Sequence, residues 1–350
     1  MPTICDGTLR YDRIDRQKPL IMKITLLGGG AMGTGCSVLL GDRSGHSVTL
    51  WARNADFVAD MHRTRENQRL LPGVRIPDGV LISSDLAMSV QDADILVAAI
   101  PTSFLRDALS AVKPHLTTNP IVVSVIKGIE NSTFSRPSEI IREALETDRV
   151  VVLGGPSHAE EFANRLPCSV VAASHDLAAA RLVQDLFSTD RFRVYTNEDI
   201  VGVELGGALK NVLAIAVGIC DGLGLGDNAK SALMTRGLAE MTRFGSALAA
   251  DPTTLFGLAG LGDLITTCIS RHSRNRHVGE RLGRGETLEQ ILSQMTAVAE
   301  GVRTTRSVND LALKHNLDMP ITREVHAVLF EGKPPAAATA SLMGRPPKKE

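Results

Sequence analysis

The sequence contains few of the side chains on which several classes of protein depend. Only 3% of its 350 residues are aromatic (one Trp, two Tyr and nine Phe), and its formal net charge is −1. So few aromatic residues exclude a base-stacking platform, and the balanced charge excludes bulk attraction to nucleic acid or to an anionic membrane. Its five cysteines are widely separated, and no Cys/His group has the spacing of a metal site. We therefore expect no nucleic-acid partner and no metal.

The scattered cysteines and the N-terminal segment both bear on the compartment. An odd number of isolated cysteines favours reduced thiols. Residues 1–21 mix acids with bases, which is typical of neither a signal peptide nor a transit peptide. These features predict a cytoplasmic protein. Because Met22 directly precedes the first predicted strand, we interpret residues 1–21 as an N-terminal tail.

The chain is longer than roughly 250 residues, the size at which single hydrophobic cores stop growing, so we expect two domains. From Lys23 onward, apolar runs of strand length alternate with helical patterns, which predicts a doubly wound α/β sheet of the Rossmann type, parallel and covered on both faces. After about residue 195 only helical patterns follow, so an all-helical C-terminal domain is expected. The predicted division is a tail over 1–21, the Rossmann domain over 22–195, the helical domain over 196–344 and a second tail over 345–350. The predicted strands are 24–27, 47–51, 95–100, 121–126, 150–153 and 169–173.

A glycine-rich turn, Gly28-x-Gly30-x-x-Gly33, follows the first predicted strand and opens a helix. In that context Gly28 permits the tight turn, Gly30 lets the backbone approach a pyrophosphate, and Gly33 allows the helix to pack on the strand. The free N–H groups of the helix N-terminus then face the phosphates. The motif predicts a bound dinucleotide, and the competing interpretation is a surface turn rich in glycine.

The end of the second strand bears on which dinucleotide binds. An acid there would bind the ribose 2′-hydroxyl of NAD, whereas an arginine accommodates the 2′-phosphate of NADP. The strand is followed by Arg53, with no acid before Asp56. We therefore expect NADP(H) to be preferred and NAD(H) to be accepted as well, unless Arg53 is an ordinary surface residue.

A lysine lies within an unusually apolar stretch. Between Ile200 and Cys220 the only charged residues are Glu204 and Lys210. These charges and four glycines make the stretch a poor membrane span, so we predict a buried core helix. Burial would lower the pKa of Lys210 toward the range useful for acid–base chemistry. The alternative is a lysine whose ammonium reaches the surface from the flank of the helix.

Two further segments are candidates for a site. The loop Gly257–Gly262 either brings backbone near a ligand or is a tight turn, and we expect the next residue, Asp263, to cap the helix beginning at Leu264. Downstream, Ser273-Arg274-Asn275 combines a serine cap with an arginine in the first helical turn, a suitable phosphate cradle. The commoner situation is an exposed basic helix start with an ordinary cap.

Together the motifs have a recognisable order. The chain from about Met22 to Gly344 resembles the NAD(P)H-dependent glycerol-3-phosphate dehydrogenase family of the bacterial type. The resemblance is carried by the glycine turn at 28–33 and by the segments 127–130 (KGIE), 154–161 (GGPSHAEE), 204–212 (ELGGALKNV), 235–241 (TRGLAEM), 260–264 (GLGDL) and 273–276 (SRNR).

The resemblance implies a reaction and the residues that perform it. The reaction is the reversible reduction of dihydroxyacetone phosphate to sn-glycerol 3-phosphate, which feeds glycerophospholipid biosynthesis, and the expected assembly is a homodimer. Lys210 matches the residue that donates and accepts the proton, and Lys127 matches a catalytic residue that contacts both substrate and cofactor. Asp263 matches an acid of the substrate site that orients Lys210 or a substrate hydroxyl. The implied substrate contacts are Lys127, Gly155, Ser157, Lys210, Asp263, Ser273, Arg274 and Asn275. The implied cofactor contacts are Gly28, Gly30, Ala31, Met32, Gly33, Arg53, Lys127, Ala159, Arg274, Val298 and Glu300.

One position departs from the family pattern, and two other functions remain open. The family often has an aromatic residue where this chain has Met32, which removes an aromatic wall near the cofactor. The first alternative is a related dehydrogenase of 3-hydroxy acids or sugar acids that also uses a catalytic lysine. The second is a non-catalytic protein that senses a nucleotide. The predicted phosphate cradle counts against the first, and the intact Lys127, Lys210 and Asp263 count against the second.

Overall fold

The computed structural model of the protein describes residues 21–43, 45–295, 298–347 and 349. The predicted N-terminal tail, apart from Ile21, and Cys5 within it lie outside these residues. The described strands lie between Lys23 and Asn197, and only helices follow Asn197 in the part of the chain that is described. The expected combination of a Rossmann-type sheet and a helical C-terminal part is confirmed.

Within the described residues, eight strands form one sheet and two shorter strands form a separate antiparallel hairpin. In chain order the strands are β1 (Lys23–Leu27), β2 (Ser47–Trp51), β3 (Glu66–Asn67), β4 (Leu71–Arg75), β5 (Val80–Ser83), β6 (Ile95–Ala98), β7 (Ile121–Ser124), β8 (Val150–Gly154), β9 (Cys168–Ala173) and β10 (Phe192–Asn197). The order in the sheet is β10-β9-β8-β7-β6-β1-β2-β5, and β3 pairs with β4. Strand β1 lies between β2 and β6, so the glycine turn leaves the sheet at the point where the strand order reverses.

The sheet differs from the prediction in two respects. It is not wholly parallel, because β8 and β9 run antiparallel to each other. The edge strands β5 and β10 and the hairpin were not predicted. Strand β10 alternates between buried Phe192 and Val194 and exposed Arg193 and Tyr195, so it lacks the continuous apolar run by which the central strands were recognised.

Sixteen helices accompany the strands in the described residues. They are α1 (Ala31–Gly41), α2 (Ala55–Thr64), α3 (Leu86–Val90), α4 (Thr102–Val112), α5 (Pro137–Leu145), α6 (Ala159–Phe162), α7 (Leu177–Phe187), α8 (Ile200–Gly222), α9 (Gly226–Ala247), α10 (Pro252–Phe256), α11 (Asp263–Ile269), α12 (Arg274–Gly283), α13 (Leu288–Ser293), α14 (Glu300–Lys314), α15 (Pro320–Phe330) and α16 (Pro335–Met343).

Helix α8 is the core of the helical part. Its length and composition would allow it to cross a membrane, but 94% of its most apolar window is buried inside the protein. It packs against α9, α11, α12, α14 and α15. The sequence-based prediction of a buried core helix is thus confirmed. The buried carboxylate of Glu204 on α8 is matched by Arg136 and by the backbone N–H and hydroxyl of Ser138 at the start of α5. These contacts join the helical part to the sheet-bearing part.

Helices α8 and α12 are in backbone contact through glycines. A Cβ atom on Gly218 would lie 2.0 Å from the carbonyl oxygen of Arg276, and one on Gly279 would lie 2.0 Å from that of Ile215. No side chain larger than hydrogen fits at either position without separating the helices. This close approach holds the N-terminus of α12, and with it Ser273, beside the helix that carries Lys210.

Candidate active site

The glycine turn has the geometry that a pyrophosphate requires. Gly28 has φ +120°, and a Cβ there would lie 2.6 Å from the carbonyl oxygen of Ala99. A Cβ on Gly33 would lie 1.9 Å from the carbonyl oxygen of Gly28, whereas one on Gly30 would meet no described atom within 4 Å. Gly30 caps α1 without a side-chain hydrogen bond, so no side chain occupies the first N–H groups of the helix. The residues present therefore fit a dinucleotide pyrophosphate.

Asn67 holds this turn from outside the sheet. Its side chain is fully buried, and Nδ2 donates hydrogen bonds to the carbonyl oxygen of Gly29 (3.0 Å) and to Oγ1 of Thr34 (2.8 Å). Asn67 was not predicted to be part of the site, because the β3–β4 hairpin was not predicted. Strand β3 has only two residues and β4 contains Pro72 and Gly73, so neither gives a strand signal.

Arg53 follows the end of β2, and Met32 lies in the first turn of α1. Arg53 is exposed and makes no ion pair with any described residue. Met32 is partly buried and packs against the core beneath the sheet. Strands β1 and β6 separate Arg53 from the loop after β7 that carries Lys127. An extended dinucleotide lying across the carboxyl edge of the sheet could contact both Arg53 and Lys127.

Lys127 and Lys210 share one buried carboxylate. The Nζ atom of Lys127 lies 2.8 Å from Oδ2 of Asp263, and Nζ of Lys210 lies 2.8 Å from Oδ1 of the same residue. Lys210 also donates to Oγ1 of Thr267 at 2.6 Å. Lys127 comes from the loop after β7, Lys210 from α8 and Asp263 from the start of α11. The structure thus brings together three residues that are far apart in the chain.

Burial and the charges in this cluster shift the pKa values of its members. Burial lowers the pKa of Lys210 to about 8, with Asp263 opposing the shift and Lys127 adding to it. Burial raises the pKa of Asp263, but the two neighbouring ammonium groups outweigh it and leave that pKa below its ordinary value. Lys210 is only 5% exposed, so the alternative in which its ammonium reaches the surface is wrong. A lysine with this pKa can both donate and accept a proton near neutral pH.

The loop after β8 aims Lys127. The ammonium of Lys127 donates to the carbonyl oxygen of Gly155 (2.9 Å) and lies 3.3 Å from Oγ of Ser157. Gly155 has φ +121°, a conformation that favours glycine. With the Asp263 contact, three oxygen atoms fix the direction of this ammonium group.

The structure corrects the expectation that Asp263 is a helix cap. Its carboxylate does not cap α11 but accepts hydrogen bonds from the two lysines and from the hydroxyl of Thr267, one turn later. The preceding residues, Leu258–Gly262, form a π-helical turn that packs on α8, where a Cβ on Gly206 would lie 2.4 Å from the carbonyl oxygen of Ala259. The glycines of this loop thus form a tight turn that places Asp263 over α8. The i, i+4 spacing of Asp263 and Thr267 is the signal that could have identified Thr267.

The predicted phosphate cradle lies at the start of α12. Ser273 is buried, and its hydroxyl caps the helix by accepting from the backbone N–H of Arg276. The next residue, Arg274, is exposed and makes no ion pair with described residues. Asn275 is buried: its Nδ2 donates to Oδ1 of Asn211 (2.9 Å), and its Oδ1 accepts from the N–H of Gly301 (2.9 Å). Asn211 follows Lys210 directly, so this network ties the cradle to the lysine.

The remaining predicted cofactor residues border the same region. Glu300 begins α14, and burial raises its pKa to about 7, opposed by the nearby Arg274 and Arg303. Val298 lies two residues earlier and is exposed. Ala159 is buried at the start of α6. The loop carrying Lys127 reaches this region too, because a Cβ on Gly128 would lie 3.3 Å from Oε2 of Glu300.

The arrangement matches a known family along nearly the whole chain. The model of the N-terminus of NAD-dependent glycerol-3-phosphate dehydrogenase matches residues 23–180, and the model of its C-terminus matches residues 199–340. The chain belongs to the NAD-dependent glycerol-3-phosphate dehydrogenase family. The resemblance seen in the sequence motifs is thereby confirmed.

Individual members of the glycerol-3-phosphate dehydrogenase family agree over both halves of the chain. A protein of Chlorobium phaeobacteroides (strain BS1) named glycerol-3-phosphate dehydrogenase (NAD(P)+) is 50% identical, over 94% of this chain and 99% of its own length. A protein of the same name from Staphylococcus aureus (strain JH9) is 46% identical, over 94% of this chain and 99% of its own length. The crystal structure of glycerol-3-phosphate dehydrogenase from Coxiella burnetii is 36% identical and superposes with a TM-score of 0.88, covering 93% of this chain and 99% of that one.

Proposed function

We propose that the protein catalyses the reversible reduction of dihydroxyacetone phosphate to sn-glycerol 3-phosphate with NADPH, and with NADH as a second cofactor. The observation that carries the proposal is Lys210, a buried lysine with a pKa of about 8, paired with Asp263 beside a second lysine, in a chain of the glycerol-3-phosphate dehydrogenase family. The relatives' name, with NAD(P)+, supports both cofactors.

The proposed chemistry divides between the two lysines. When bound, the reduced dinucleotide supplies the hydride. In the reductive direction Lys210 donates a proton to the developing C2 alkoxide, and in the oxidative direction it accepts that proton. The ammonium of Lys127 stabilises the same developing charge, directed by Gly155 and Ser157. Asp263 holds both ammonium groups at the ends of one carboxylate.

Binding is proposed to use the N-termini of two helices, α12 for the substrate and α1 for the cofactor. At the start of α12, free N–H groups and the exposed guanidinium of Arg274 would take the substrate phosphate, with Ser273 and Asn275 holding the turn in place. The cofactor would lie from Arg53 over the turn Gly28–Gly33, including Ala31 and Met32. Its nicotinamide end would lie among Lys127, Ala159, Arg274, Val298 and Glu300.

We also propose a domain division, an oligomeric state and a cellular location. We place the division between a dinucleotide-binding domain (22–195) and a substrate domain (196–344) near residue 195, which is supported by the end of the last strand at Asn197 and the start of α8 at Ile200. Family membership supports a homodimeric enzyme whose product, sn-glycerol 3-phosphate, feeds glycerophospholipid biosynthesis. A cytoplasmic location is supported by the free thiols of the described cysteines, which are Cys36, Cys168, Cys220 and Cys268.

The first test is an assay of NADPH oxidation with dihydroxyacetone phosphate. We expect turnover that disappears when the phosphate is removed from the substrate, because the cradle at the start of α12 is built for an anion. Faster turnover of an unphosphorylated keto acid would favour the related hydroxy-acid dehydrogenase instead. Tight NADPH binding without any turnover would favour the non-catalytic nucleotide sensor.

Replacing Arg53 with alanine tests the cofactor preference. If the guanidinium pairs with the 2′-phosphate, the KM for NADPH should rise about tenfold or more, since a hydrogen bond to a charged group contributes about 1.5–3 kcal/mol. The KM for NADH should be nearly unchanged, because NADH lacks that phosphate. Steady-state kinetics with each cofactor measure both values, and equal effects on the two would remove Arg53 from 2′-phosphate recognition.

A further inference from the structure

One histidine beside the lysine cluster has a ring nitrogen that no described protein group satisfies. His158 lies at the N-terminal end of α6, next to Ser157, whose hydroxyl contacts the ammonium of Lys127. Its Nε2 atom is shielded from solvent and has no hydrogen-bond partner among the described residues. Buried polar atoms in native proteins are nearly always paired, so an orphan atom bordering a binding site indicates a ligand group.

The neighbours of His158 place it at the substrate end of the site. Its ring lies within the electrostatic influence of Lys210, Lys127 and Asp263. Its ring centroid also lies 6.0 Å from that of His272, with the two planes inclined by 52°. His272 directly precedes Ser273, the cap of α12. His158 therefore lies between Lys210, which we assign to the C2 oxygen, and the start of α12, which we assign to the phosphate.

Burial and the nearby charges decide the protonation state of the ring. Burial, and after it the ammonium groups of Lys210 and Lys127, lower the pKa of His158 to about 4 against the opposing Asp263. The imidazole is consequently neutral at physiological pH. A neutral imidazole carries no charge for the phosphate, but it can exchange one directional hydrogen bond with a hydroxyl group.

We propose that His158 is a specificity-determining residue, whose Nε2 hydrogen-bonds the free hydroxyl of the three-carbon substrate. This inference rests on the proposed function, because it takes the substrate to be a hydroxyketone phosphate. Of the polar groups on such a molecule, the ketone oxygen belongs to the lysines and the phosphate to the start of α12. The hydroxyl is the group that remains for an uncharged partner.

The test compares two substrates in two variants. In His158→Phe an aromatic ring is kept and both ring nitrogens are removed, whereas in His158→Gln an amide group is offered at about the distance of Nε2. The substrates are dihydroxyacetone phosphate and its 1-deoxy analogue, hydroxyacetone phosphate, in which a methyl group replaces the hydroxymethyl group. The readouts are kcat/KM for each substrate, the inhibition constant of the analogue where its turnover is slow, and the KM for NADPH.

We expect His158→Phe to lower kcat/KM for dihydroxyacetone phosphate about three- to tenfold, the range of one neutral hydrogen bond. For the deoxy analogue we expect no loss, and His158→Gln should recover most of the activity on the hydroxylated substrate. Equal losses on both substrates, a change confined to the KM for NADPH, or no change at all would each overturn the inference while leaving the proposed function intact. Absence of wild-type turnover of dihydroxyacetone phosphate would contradict both.

Discussion

Replacing Lys210 with methionine is expected to lower kcat by about 10²- to 10⁴-fold, the usual contribution of a positioned acid–base group. Methionine keeps the length and apolar stem that α8 buries, so the fold should survive. NADPH binding should also survive, because the glycine turn and Arg53 lie beyond β6 from the lysine cluster. Steady-state kinetics and a fluorescence titration with NADPH measure the two effects separately.

The matched control for this variant is Lys314→Met. Lys314 is exposed in the last turn of α14 and makes no ion pair with described residues, so its replacement should leave kcat unchanged. A Lys210→Met enzyme with wild-type kcat would remove Lys210 from the proton transfer. Loss of NADPH binding together with kcat would instead indicate damage to the fold.

The pH dependence of the wild-type enzyme follows from the same residue. Burial lowers the pKa of Lys210 to about 8, so the ammonium predominates below that pH and the free amine above it. Reduction needs the proton on Lys210, and its rate should fall as pH rises through about 8. Oxidation needs the free amine, and its rate should rise over the same interval. Profiles of kcat/KM measured in both directions should therefore cross, and parallel profiles would contradict the assignment.

The second large effect is expected from Gly279→Ala on α12. Alanine favours a helix over glycine by about 1 kcal/mol, so local propensity alone predicts stabilisation. The added Cβ, however, would lie 2.0 Å from the carbonyl oxygen of Ile215, a backbone atom of α8 that cannot rotate away. The two helices must separate, and we expect a loss of about 3 kcal/mol or more in the free energy of unfolding, at the upper end of overpacking costs.

Separation of the helices should also affect the substrate. The start of α12 would move away from the helix carrying Lys210, so the KM for dihydroxyacetone phosphate should rise more than the KM for NADPH. Urea denaturation and steady-state kinetics measure the two consequences. The control is Gly79→Ala, an exposed position where a Cβ meets nothing within 4 Å. Equal stability of the two variants would show that α8 and α12 tolerate a methyl group between them.

Features encoded within a short stretch of sequence could be predicted. The turn Gly28–Gly33 carries its own spacing, and the burial of α8 followed from its apolar residues, although these left open whether the ammonium of Lys210 is buried or reaches the surface. For Asp263 the local pattern indicated a helix cap, which is wrong, because its lysine partners are 53 and 136 residues away; only the family resemblance assigned it to the substrate site. Long-range pairing of this kind depends on the packing of α11 over α8, which periodicity does not reveal.

Other residues of the site could not be recognised from the sequence. Asn67 and Asn211 are ordinary polar residues until the hairpin and α12 are placed beside them. His158 belongs to a recognised motif, but its orphan nitrogen is visible only when every neighbour is known. The edge strand β10 was not predicted, because one of its faces is exposed to solvent and its sequence lacks a continuous apolar run. In each case the missing information was the identity of the neighbour in space.

Helix α8 is synthesised before several of the helices that bury it in the folded protein. Residues 200–222 leave the ribosome before the residues of α12 and α14 that cover them. During that interval the nascent chain carries an apolar helix of 23 residues with no partner on the side that α12 will occupy. Exposed apolar surface of this kind drives aggregation of incomplete chains. Products that terminate between Gly222 and Arg274 would therefore keep this face of α8 exposed to solvent and to other chains.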